Sequence, residues 1–141
     1  MSENTDGDLR TYVVFVVEDE PAWEAKTDAE RQVTYDADYA FGQALEKRGG
    51  KVVGGSGLAH TSRWQILRND AGITRRTDGP YTESVEQLGG FYIVDAGSLD
   101  EAIELAAQIP GAGTGVVEVR PVMEFTEDGQ PVDAQAGQAA G

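Results

Sequence analysis

The chain has 141 residues and a formal charge of −14, from 25 Asp and Glu against 11 Lys and Arg. That balance repels nucleic acid and anionic membranes, and the length suits one domain with a real core. Cysteine is absent, which excludes disulfides, thiolate metal sites and a cysteine nucleophile.

In chain order, residues 1–10 are polar and acidic and read as a disordered lead without a secretory signal, and no apolar run approaches a membrane span. A cytoplasmic protein is the expectation. Tyr12 to Val17 is apolar throughout and rich in β-branched residues, which predicts a central strand. Thr27-Asp28-Ala29-Glu30 fits a capping box and opens a helix over about Asp28 to Arg48, stopped by Gly49-Gly50 in a left-handed conformation. Lys51 to Leu58 predicts a glycine-interrupted strand. Gly54-Gly55-Ser56-Gly57 lacks a following helix and reads as a bulged strand end rather than a phosphate cradle.

Arg63–Arg68 and Ile73–Thr77 form a predicted hairpin about Asn69 to Gly72. Asp78-Gly79-Pro80 is a stiff turn, and Ser84 to Gln87 fits a second capping box. Gly90 to Asp95 is a strand. Ser98 to Glu101 caps a helix with Leu99, Ala102, Ile103, Ala106 and Ile109 on one face, ended by Pro110. Val116 to Phe125 is a strand interrupted by Pro121, which points to an edge position or a bend there. Residues 126–141 read as a disordered acidic tail.

This order is an α+β, ferredoxin-like βαββαβ arrangement with an added hairpin. The first and fourth main strands are apolar at odd and even positions alike, while two helices cover one face only, so a homodimer is expected.

The motifs DGPYTESVEQLGGFYIVD, SLDEAIELAAQIP and GVVEVRPVMEF occur in that order, and the chain from about Thr11 to Phe125 resembles the YCII-related (DGPF-domain) family. The resemblance implies the dimeric α/β barrel group with clefts between sheet and loop, and a context near extracytoplasmic-function sigma factors. Tyr81 stands where the family usually has Phe, and Val85 where Lys is common. Some members carry a helix-one histidine paired with an Asp; that position falls here on Asp38 or Tyr39.

The candidate catalytic residues are Asp78 and Asp38 as bases and Arg120 as an oxyanion holder. Tyr81, Glu83, Tyr39, His60 and Glu118 are candidate ligand contacts, and Glu86 is a further carboxylate. Each has a structural alternative: Asp78 as a turn residue, Glu118 and Arg120 as an edge ion pair or Arg120 tying down the DGPY loop, Glu86 as a solvated face, His60 as a solvent-exposed loop residue. No metal-binding, P-loop or serine-elbow motif is present, so no cofactor or metal is called for. Two functions fit: a cofactor-independent lyase, isomerase or dehydrohalogenase on a small carboxylated or phenolic compound, or a non-catalytic regulatory module whose acidic surface meets a basic protein partner.

Overall fold

The computed structural model describes residues 9–80, 84–110 and 113–132, without the side chains of 113–115. The elements are β1 (Arg10–Asp19), α1 (Glu20–Glu24), α2 (Asp28–Lys47), β2 (Lys51–Gly57), β3 (Gln65–Asp70), β4 (Ile73–Asp78), β5 (Glu86–Ala96), α3 (Leu99–Ala106) and β6 (Gly113–Pro121), with a 3-10 turn at Thr61–Arg63. The fold is α+β, with one four-stranded sheet in the order β2-β5-β1-β6 and a separate two-stranded sheet, β3-β4. Every pairing is antiparallel.

β1 is central, as its apolar run predicts, and β6 lies at an edge, where Pro121 costs no interior ladder bond. One face of the sheet packs under both long helices: Tyr12, Val14, Val94 and Ala96 meet Phe41 and Leu45 of α2 and Ala102, Leu105 and Ala106 of α3. The opposite face carries Val13, Phe15, Phe91 and Ile93 side by side, all half-buried, with no helix over them among the described residues. The expected apolar second face is therefore real, although β1 is fully buried only at Tyr12 and Val14.

Two of the three predicted capping boxes open helices. Thr27 and Glu30 exchange bonds, Glu30 N–H to Thr27 Oγ1 at 3.1 Å and Thr27 N–H to Glu30 Oε1 at 2.8 Å. Gly49 has φ of +91°, the left-handed stop after α2. In α3, Ser98 caps Glu101, but the buried face is Glu101, Ala102, Leu105 and Ala106, with Ile103 47% exposed. Glu101 is held inward because it accepts the Gly97 N–H at 3.1 Å and pairs with Arg48 Nε at 3.1 Å, tying the start of α3 to the end of α2.

One expectation needs correcting, and two elements stand beside what was expected. Ser84 to Gln87 opens no helix: Ser84 Oγ accepts the Glu86 N–H, and Glu86 starts β5 because it pairs with Asp19 of β1. α1 is a helix that periodicity did not reveal. Residues up to Val132 include a hydrogen-bonded turn where a disordered tail was expected, with Thr126 N–H to Gln130 O at 2.8 Å and Val132 N–H to Glu124 O at 2.8 Å. The hairpin forms as predicted, its two-residue turn set by Ala71 and Gly72 at φ of +52° and +83°. Among the described residues no helix is long and apolar enough to cross a membrane.

Candidate functional site

β1 ends in Asp19, whose carboxylate accepts the Ala22 N–H at 3.0 Å and caps α1, with Pro21 in the first turn. This cap turns the chain so that Glu20 points inward and is only 8% exposed. Its two oxygens accept the Thr61 N–H at 2.9 Å and the Thr61 hydroxyl at 2.7 Å, which pins the loop after β2 against α1. The neighbour on that loop is His60, with Nε2 3.4 Å from Glu20 Oε1 and 3.1 Å from Glu24 Oε2.

The other ring nitrogen, Nδ1, accepts the Ser62 N–H at 3.0 Å. A backbone N–H can only donate, so the neutral ring carries its proton on Nε2, the nitrogen facing the two carboxylates. Across from them, the Gly79 N–H binds Trp64 O at 2.8 Å and the Trp64 indole N–H binds Ala59 O at 2.9 Å, seating the base of the hairpin; the Gly79-Pro80 peptide is cis. The result is a cleft of about 390 Å³ lined by Glu20, Pro21, Glu24, His60 and Thr61 on one side and by Pro80, Ser84, Val85 and Gln87 on the other.

Glu18 stands behind this cleft, across the ladder from Gln87. Gly89 is the extra residue of a bulge, since Val16 pairs with Gly90 and Val17 with Leu88. The Glu18 side chain lies over Gly89 in the space a Cβ would fill. Burial raises the Glu18 carboxyl above the usual range; Glu20 and Glu24 push it further and His60 pulls it back. Among the described residues no group of three or more His, Asp or Glu side chains is arranged to hold a metal ion.

A second polar pair lies between α2 and the sheet. The inward side of α2 runs Thr34, Asp38, Phe41, Leu45, turning from polar to apolar toward the C-terminus. Asp38 lies near the Tyr92 hydroxyl, which favours its ionised form, while its buried Oδ1 has no partner among the described residues. Burial raises the Asp38 carboxyl, with the Tyr92 hydroxyl opposing; burial and then the nearby Asp38 carboxylate raise Tyr92 strongly. Of the two helix residues expected at this position, Asp38 faces the sheet and Tyr39 is 70% exposed.

Of the other predicted site residues, His60 lines the cleft, and Asp78, Arg120 and Glu118 lie outside it. Asp78 is the last residue of β4, exposed, and accepts Gln65 Nε2 at 3.0 Å. Arg120 and Glu118 form an exposed pair at 3.8 Å on the edge strand, on the face away from the helices. Tyr81 and Glu83 lie outside the described residues. The residues that sequence reasoning missed are Glu18, Glu20 and Glu24. The signal for the last two was Asp19-Glu20-Pro21, an N-cap followed by a first-turn proline.

A relative in Rhizobium meliloti (strain 1021), an uncharacterized protein, is 38% identical over 116 residues, covering 79% of this chain and 90% of the relative. The family model for the YCII-related domain matches residues 11–126, the span that holds the sheet, the helices and the cleft. The chain belongs to the YCII-related domain family.

Proposed function

We propose that this domain is ferredoxin-like, of the dimeric α/β barrel type, and that its cleft binds a small organic molecule for cofactor-independent proton transfer of the lyase, isomerase or dehydrohalogenase kind. The observation that carries this reading is His60 Nε2–H set between Glu20 and Glu24 at the wall of a 390 Å³ cleft. Glu20 already accepts two bonds from Thr61 and serves as an anchor. Glu24, 60% exposed at its side chain, keeps oxygen lone pairs for a ligand proton, and His60 steadies it from the side. The fold reading is supported by the strand order and by both long helices lying on one face. The uncovered stripe of Val13, Phe15, Phe91 and Ile93 suits a second copy of the chain.

The wall charge sharpens the ligand class. Glu20 and Glu24 line the cleft, Glu18 stands behind them, and Arg120 is elsewhere, so an uncharged phenol is favoured over a carboxylate. His60 is the sole histidine, so its ring nitrogens give one set of NMR signals that needs no assignment. Titrating neutral phenols is expected to shift those signals and raise the Tm through mass action, with benzoates doing neither. Signals unmoved by the whole phenol panel at millimolar concentration, in folded protein, would overturn the reading.

A further inference from the structure

The β3-β4 hairpin differs from the rest of the molecule. All of its strand residues are exposed except half-buried Ile66, and Leu67 and Ile73 are 69% and 57% exposed. A two-stranded hairpin in water is marginal by itself. Its base is held by Trp64 and Gly79, and its strands are otherwise exposed along their length.

Its charge is opposite to that of the body. Residues 65–78 hold three arginines, Arg68, Arg75 and Arg76, against Asp70 and Asp78, a formal +1; the remaining chain keeps eight cations against 23 carboxylates, a formal −15. Arg75 faces Arg68 across the ladder rather than an acid, and makes no ion pair among the described residues. Leu67 pairs with Arg76 on the other face, so each face offers apolar contact beside positive charge.

We propose that this hairpin is a docking arm that lies on the acidic surface of a second copy of the chain. The inference rests on the proposed association of two copies and adds the element that clasps them. A polyanion such as nucleic acid would suit the arm, but the −15 body beside it repels such a partner, whereas an identical acidic body is the complementary surface. Six residues per strand at ~3.4 Å each give an arm of roughly 20 Å, enough to pass a partner sheet stacked ~10 Å away.

The test is sedimentation velocity on the full chain at 50 and 500 mM NaCl, with Arg75→Glu/Arg76→Glu and, separately, Phe91→Lys on the open sheet face. Wild type is expected to dimerise, more weakly at high salt. The arginine reversal should weaken the dimer about tenfold or more, with Arg75→Lys/Arg76→Lys retaining most of the affinity. A dimer whose dissociation constant stays within twofold of wild type in the arginine reversal, but is lost with Phe91→Lys, overturns the arm and leaves the sheet-face association standing. A wild type that is monomeric at 100 µM overturns both.

Discussion

Glu20 and Asp38 are both carboxylates withdrawn from water, and the structure treats them in opposite ways. Glu20 sits at the start of α1 with both oxygens bonded to Thr61 and His60 alongside. Asp38 sits mid-helix on α2 with the Tyr92 hydroxyl on one side and an unpartnered buried oxygen on the other, and its carboxyl is raised. The first closes a loop 41 residues away onto its helix; the second bears a cost of burial that its single partner does not cancel. Burial alone does not distinguish a fastener from a titrating group; the number of donors reaching the carboxylate does.

The comparison breaks most directly at Glu20. Glu20→Ala leaves a backbone N–H and a hydroxyl of buried Thr61 without their acceptor, so the expected loss is about 3 kcal/mol, or a Tm drop of roughly 10 °C. Denaturant unfolding measures it, and a loss under about 0.5 kcal/mol would mean that Glu20 fastens nothing. Next in size is Gly89→Ala, expected to cost about 1–3 kcal/mol because the new Cβ meets the Glu18 side chain. Pairing it with Glu18→Gly, which removes the Glu18 Cβ as well as its carboxylate, should recover part of that loss. If the two effects simply add, the close approach of Glu18 is not what makes glycine necessary at 89.

Much of the fold was legible because its signals are local. The caps at Thr27 and Ser98, the left-handed stop at Gly49, the hairpin turn and the proline of the edge strand each depend on a few adjacent residues, and each forms. The capping-box pattern at Ser84 is as local as the other two, yet pairing with β1 makes it the start of a strand. Little of the site was legible. His60 meets Glu20 and Glu24 only because β1 and β2 flank β5, bringing the end of β1 and the loop after β2 to the same end of the sheet. No spacing within the sequence encodes that meeting. Asp78 and Arg120 were conspicuous by motif, but Asp78 stays within its hairpin and Arg120 pairs with Glu118 two residues away.

The smallest expected effect is at Asp38, and it is read as a slope with pH. A carboxyl raised in the folded state holds its proton to a higher pH than in the unfolded chain, where it titrates near ~4. Below that pH both states are protonated and the group contributes no pH-dependent difference. As pH rises toward the folded value the unfolded chain ionises first, so stability falls through this window and then levels off. Asp38→Asn removes the titration. Its amide places a donor where the unpartnered oxygen was, which adds an offset that does not depend on pH. The Tm difference, Asn variant minus wild type, should therefore increase by a few degrees from pH 4 to pH 8 whatever its starting sign. Tyr92→Phe takes away the hydroxyl that favours the ionised form, so in that background the increase should be steeper. A difference that stays flat with pH in both backgrounds would mean that burial leaves the Asp38 carboxyl unshifted and would sink this reading of the site.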